Sequence, residues 1–200
     1  GVPATRYHAG LDREERQRNQ EDFLYDRSPV MVATNAFGMG IDKSNVRYVV
    51  HYNMPRDMES YYQEAGRAGR DGEHSECILL YSKGDEGTAR YLIEQDRENE
   101  TLDAETLARI KERDYQRLHV MTSYCHTSGC LRSFILRYFG ERGEAACGNC
   151  GNCIQDTEDM DITREARAIL SCVGETGQRF GAGLLSDVLR GRRTQRVTQW

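Results

Sequence analysis

The chain has 200 residues, 38% hydrophobic and 30% charged, the composition of an ordinary soluble globular protein with room for one or two modest cores. Its longest apolar stretches fall far short of the roughly 18 residues a membrane span requires, and no basic-then-apolar run opens it as a secretory signal would. The formal charge of −5 argues against a uniformly basic nucleic-acid surface, yet residues 162 to 200 hold seven Arg against three acidic residues, a net of +4 that leaves −9 on the rest.

In chain order, an Asp- and Arg-rich segment from Asp12 to about Tyr25 predicts a helix, and the apolar run Val30, Met31, Val32, Ala33 predicts a buried strand. A glycine-rich loop from Asn35 to Asp42 leads to a second apolar strand, Val46 to Tyr52. A helix opens near Asp57, and a third strand runs from Cys77 to Tyr81. Strands separated by helices imply a parallel sheet. Charged residues 83 to 117 read as one or two helices, with Leu102, Thr106, Ile110 and Leu118 too sparse to form a core alone. After Cys130, the spacing of Leu131, Phe134, Ile135, Tyr138 and Phe139 is that of an amphipathic helix, with Arg132 and Arg137 on its polar side and Gly140 at its end. Cys147 to Cys153 reads as a tight loop. Helices from Thr163 and over Leu184 to Leu189 flank a turn, Gly177 to Gly181, in the manner of a helix-turn-helix.

Gln63-Glu-Ala-Gly-Arg67-Ala-Gly-Arg70 sets two guanidinium groups three residues apart at a helix end, with Gly66 and Gly69 leaving the backbone unobstructed. Guanidinium is permanently charged and binds phosphate bidentately, which suits it to stabilise charge on a transferring phosphoryl group. Two surface arginines on a solvated helix end are the plainer alternative. Upstream, Val32-Ala-Thr34-Asn35-Ala-Phe-Gly38-Met-Gly40-Ile-Asp42 runs a strand into a glycine turn open to a phosphate or sugar.

With Tyr7-His8-Ala-Gly-Leu11 and Tyr61-Tyr62-Gln63, these stretches, spanning residues 1 to about 82, resemble the second RecA-like lobe of superfamily 2 helicases, in particular the RecQ family. The resemblance implies that Gln63, Arg67 and Arg70 face ATP, with Arg70 the finger on the γ-phosphate. It further implies that Asp42 contacts the nucleotide's ribose or couples it to DNA, that Gly38 and Gly40 lie at the nucleotide, and that Thr34, Asn35 and His8 contact single-strand DNA. Ser44 stands where the family often has Pro, a change that removes no ligand. The sequence contains no G-x4-G-K-[ST] phosphate loop and no Asp-Glu pair after an apolar strand to hold Mg2+. ATP and Mg2+ are therefore expected to be held mainly by another lobe, and the opening Gly-Val-Pro reads as a cut within a longer protein.

Seven cysteines are an odd count. Four of them, Cys130-x16-Cys147-x2-Cys150-x2-Cys153, form a metal pattern rather than a disulfide framework, consistent with a reducing cytoplasm. Four thiolates make a closed tetrahedral site suited to structural Zn2+, with an iron-sulfur cluster the alternative that the C-x2-C-x2-C run leaves open. Cys125 and His126 read as packing or surface groups, and Cys77 and Cys172 as small buried thiols. The stretch from Tyr124 to Cys153 resembles the RecQ zinc-binding domain. Leu131 replaces one of two Arg usual after the first ligand, and Gly151 replaces an Asp. By the same resemblance, Arg132 and Arg137 lie on a DNA-facing helix. Residues 163 to 191 resemble the opening helices of the winged-helix domain that follows zinc in that family, with Arg190, Arg192, Arg193 and Arg196 placed for phosphates.

The expectation is an α/β fold: a partial RecA-like parallel-sheet lobe over residues 1–90, incomplete at its N-terminus, a mostly α zinc-binding domain over 91–156, and the start of a winged helix over 157–200. The function expected is part of a RecQ-type ATP-dependent 3′-to-5′ DNA helicase of recombination, repair and replication, nucleoid-associated if bacterial. Such a protein acts on single strands and duplex junctions, and this piece is inactive without the ATP-holding lobe. Two rivals are a non-catalytic zinc-containing DNA-binding or regulatory module and an RNA helicase of the same superfamily, against which the cysteines speak.

Overall fold

The computed structural model describes residues 1–34, 42–95, 103–155 and 160–199, in two compact units, Gly1–Ile154 and Gln155–Trp200. The first opens with strand β1 (Ala4–Tyr7), helix α1 (Arg13–Leu24) and strand β2 (Val30–Ala33). Asp12 starts α1 by accepting a hydrogen bond from the Glu15 N–H at 2.7 Å, satisfying a donor that the helix cannot. β1 and β2 pair in parallel, from Ala4 opposite Val30 to Tyr7 opposite Ala33. α1 has no buried residue and is held to β1 through polar groups: Asn19 Nδ2 donates to Arg6 O at 2.9 Å, and Arg6 pairs with Glu15 at 3.1 Å.

Strands β3 (Tyr48–His51) and β4 (Glu76–Leu79) form a second parallel pair, Tyr48 opposite Glu76 through His51 opposite Leu79, with helix α2 (Met58–Ala65) between them in sequence. The α/β alternation and parallel pairing expected from the sequence are present. Among the described residues, however, the strands form two separate two-stranded ribbons rather than one sheet. The strands are also not buried as the apolar runs predict, since Val32 is 63% and Val50 55% exposed. An apolar run specifies a strand, and burial then depends on what covers each face. Cys77 departs from expectation for the same reason: it lies exposed on β4, its Sγ donating to Ala65 O at 3.4 Å.

Helix α3 (Lys83–Gln95) precedes the 23-residue α4 (Ala104–His126), which reaches well beyond the expected helical limit at residue 117. α5 (Leu131–Tyr138) follows, and the Cys147 to Cys153 loop closes in a single turn of helix, α6 (Gly151–Ile154). The second unit contains α7 (Thr163–Glu175), α8 (Ala182–Leu189) and α9 (Gln195–Thr198), with Cys172 buried within it.

The core of the first unit lies between α2, α4 and α5. Met58, Tyr61, Met121 and Tyr124 are all but fully buried, and Leu131, Phe134, Ile135 and Tyr138 of α5 pack against them. The amphipathic spacing after Cys130 thus meets an apolar partner, as its period requires. Tyr124 Oη donates to Tyr61 Oη at 3.2 Å, so both phenols enter the core with a partner. Burial is the main cause that raises both above the ordinary phenol range. Around this core, Arg56 pairs with the buried Asp114 at 3.1 Å, and Tyr138 Oη donates to Glu59 Oε1 at 2.8 Å. Met121 is fully buried, 0% exposed. Met121→Ala is expected to destabilise the first unit by about 2–5 kcal/mol, measured by urea unfolding followed by helical circular dichroism. A loss under about 1 kcal/mol would contradict this core assignment.

Candidate arginine site and metal centre

Asp57 caps α2 through the Ser60 N–H at 2.8 Å, and Gly66 ends it. Gln63 is exposed on the helix. Arg67 and Arg70 follow in the turn beyond it, Arg67 half-buried and Arg70 exposed. His51 of β3 is buried against the Tyr61 ring, with Nε2 2.8 Å from Glu64 Oε2, which ties the last turn of α2 to the strand.

The turn is pinned a second time around Arg70. Gly69 N–H donates to Val46 O at 3.0 Å, and Arg47 ion-pairs with Asp71 while its Nη1 donates to His74 O at 3.4 Å. Arg47 is the leading cause that holds the Asp71 carboxyl below its ordinary range. Gly69 has φ +64°, and a Cβ there would sit 2.4 Å from Ser75 Oγ and 2.9 Å from Glu73 O, so any side chain at this position strains the turn.

Arg70 Nη1 donates to Asp42 Oδ1 at 3.1 Å across 28 residues of sequence, which brings together two of the residues singled out above. The next residue, Lys43, is buried: its Nζ donates to Asp26 Oδ1 at 2.7 Å and to Leu24 O at 3.4 Å. Lys43 is also the leading cause lowering the Asp26 carboxyl below its usual range. His8, half-buried, and Thr34, exposed, lie just past the paired ends of β1 and β2, where Thr34 N–H donates to Tyr7 O at 3.1 Å. Asn35, Gly38 and Gly40 lie outside the described residues. Arg132 and Arg137 are exposed on α5.

The sulfurs of Cys130, Cys147, Cys150 and Cys153 all lie within 4.8 Å of one another, with Cys130 buried and the others half-buried. Tetrahedral Zn–S bonds of about 2.3 Å place sulfurs about 3.8 Å apart, so the cluster fits such an ion. Backbone donors support it: Ser133 N–H to Cys130 Sγ at 3.4 Å, Leu131 N–H to Cys150 Sγ at 3.4 Å and Cys150 N–H to Cys147 Sγ at 3.2 Å. Hydrogen bonding from Ser133 lowers the Cys130 thiol to about 6. The same Cys130 Sγ caps the start of α5. Asn152 Nδ2 donates to Thr127 O at 2.7 Å and Gly129 O at 2.8 Å, and Ser133 Oγ donates to Glu144 O, closing the loop on the helix.

Cys125 is half-buried and His126 exposed, outside the four-sulfur group, with His126 Nε2 2.9 Å from Tyr81 Oη. Sequence reasoning missed Arg47, Asp71, His51 and Lys43. No local pattern could have exposed them, because each acts on a partner 13 or more residues away.

Models of protein families match three successive stretches of the chain. The helicase conserved C-terminal domain matches residues 1–72, RecQ zinc-binding residues 83–154 and the RQC domain residues 156–200. The ATP-dependent DNA helicase RecQ of Bacillus subtilis is 50% identical over 198 residues, covering 99% of this chain and 32% of that protein. RecQ of Haemophilus influenzae is 37% identical over 199 residues, with 100% and 31% covered. The ATP-dependent helicase SGS1 of Saccharomyces cerevisiae is 37% identical over 209 residues, with 100% and 14% covered. The chain thus spans about a third or less of the length of these relatives. A solved structure of the C-terminal domain of the DEAD-box protein Dbp5 overlaps 56% of this chain and 69% of that one at 27% identity, with a TM-score of 0.38. The zinc-binding match and the four-thiol cluster together support a structural zinc. With helicase C-terminal, zinc-binding and RQC regions following one another along 200 residues, the chain belongs to the RecQ family.

Proposed function

We propose that this chain is the second motor lobe, zinc-binding domain and opening RQC segment of an ATP-dependent DNA helicase that unwinds duplexes with 3′-to-5′ polarity. The observation that carries the reading is the mounting of the Arg67–Arg70 turn on α2, the helix packed through Tyr61 and Met58 against α4 and α5 of the cysteine-bearing region. A phosphate-binding turn and a four-thiol anchor in one compact unit suit a motor lobe better than a free-standing zinc module.

In this reading ATP and Mg2+ are held mainly by a second lobe, and Gln63, Arg67 and Arg70 face the nucleotide. Phosphoryl transfer depends on placing positive charge where negative charge spreads over the γ-phosphoryl oxygens. Arg70 is the group for that task, and its Nη1 already donates to a carboxylate oxygen, Asp42 Oδ1, at 3.1 Å. Asp42, with Gly38 and Gly40, contributes to the nucleotide side. Thr34, Asn35 and His8 track the single strand, and Arg132 and Arg137 extend the contact onto α5.

Cys130, Cys147, Cys150 and Cys153 are assigned as the zinc ligands; the metal supplies binding energy that becomes folding energy for α5 and its loop. Substrates are single strands and duplex junctions met in recombination, repair and replication. Among the described residues no helix is long and apolar enough to cross a membrane, and the proposed setting is the cytoplasm, at the nucleoid if the source is bacterial.

In the full-length helicase, Arg70→Ala is expected to lower DNA-stimulated ATP hydrolysis by about 10³-fold or more without weakening single-strand binding in fluorescence anisotropy. Hydrolysis at the wild-type rate would remove Arg70 from the chemistry. Cys150→Ser is expected to reduce bound zinc from about one per chain to none, read by metal analysis, and to lower the melting temperature. Unchanged zinc in a folded variant would overturn the four-ligand assignment.

A further inference from the structure

Arg70 Nε donates back to Gly66 O at the end of α2 at 3.5 Å, and both of its neighbours are held by the segment that leads into β3. The residue before it, Gly69, gives its N–H to Val46 O at 3.0 Å, and the residue after it, Asp71, takes the Arg47 guanidinium. Val46 and Arg47 are consecutive, so one dipeptide immediately before β3 holds both flanks of the arginine. Arg47 also donates to His74 O at 3.4 Å, and its own carbonyl accepts from the Glu76 N–H at 2.8 Å, which leads directly into the β3–β4 pairing. Asp71 carries the turn onward by accepting the Glu73 N–H at 3.1 Å.

The side chains of Arg47 and Asp71 are each only about a third exposed, 34% and 27%, so this pair is better shielded than the Arg70–Asp42 contact, in which Asp42 is 91% exposed. A shielded arginine that holds two groups at once fixes geometry, whereas a solvent-exposed ion pair contributes little.

We infer that Arg47 is a positioning residue for Arg70: by holding Asp71 and the His74 carbonyl at once, it sets where the Arg70 guanidinium stands when a nucleotide arrives. The inference rests on the proposed role of Arg70. A guanidinium displaced by about an ångström loses rate without losing ground-state binding, since misplacement of that size costs up to about 10²-fold.

The test uses the full-length helicase, assayed well below the unfolding transition of every variant. Arg47→Gln is expected to lower DNA-stimulated kcat about 10- to 100-fold while the KM for ATP stays within about twofold and bound zinc is unchanged. Asp71→Asn is expected to fall in the same direction. The double variant Arg47→Gln/Asp71→Asn is expected to be no slower than the worse single variant, because the two act as one unit. A kcat for Arg47→Gln within about twofold of wild type, or losses that multiply in the double variant, would overturn the inference. The Arg70→Ala variant run alongside separates the two claims. Wild-type hydrolysis there removes the finger itself, whereas a dead Arg70→Ala with an unaffected Arg47→Gln removes only the positioning.

Discussion

Tyr61 and Tyr124 meet hydroxyl to hydroxyl at 3.2 Å, between helices whose sequence positions differ by 63, with Met58 and Met121 filling the space beside them. An unpaired phenol in that position would cost about 1–3 kcal/mol, so each tyrosine makes the other tolerable in the core. The arginine turn and the cysteine cluster both hang from this contact. α2 carries the arginine turn on its far end, α4 delivers the chain to Cys130, and α5 lays its apolar face on the same four residues. The motor-type and metal-type features therefore share one core, and displacement of either is felt by the other through close-packed side chains.

The polar architecture around that core is divided by task. Arg56–Asp114 and Tyr138–Glu59 join helices to helices, while His51–Glu64 and Arg47–Asp71 join α2 and its turn to β3. Lys43 plays a related part on the first ribbon, its ammonium buried against Asp26 and the Leu24 carbonyl directly after Asp42. Buried or half-buried charges persist only when paired and hydrogen-bonded, and here the pairs cluster about the segments that flank the proposed nucleotide and DNA residues.

Much of this was legible in the sequence, unevenly. Period 3.6 apolar spacing after Cys130 announced α5 and its buried face, and the two x2 gaps announced the sulfur cluster, because both are local patterns. The arginine segment was visible as chemistry, but its support was not: Arg47, Asp71, His51 and Glu64 read as ordinary charged positions until the fold brings them together. α4 ran longer than expected because its buried residues, Leu118, Met121 and Tyr124, lie toward one end of a highly charged stretch. The apolar runs at Val30 and Val46 correctly gave strands yet misjudged burial, since a run of β-branched residues carries no information on how many neighbouring strands or helices will cover it.

Gly69 contributes no side chain, yet at its φ of +64° a Cβ would stand 2.9 Å from the Glu73 carbonyl oxygen, so any other residue strains the turn. In a genetic screen of the proposed helicase, substitutions at this codon would therefore score with those at Arg70. The phenotype would arise from backbone shape, and a second change that reshapes the turn would relieve it where added charge would not.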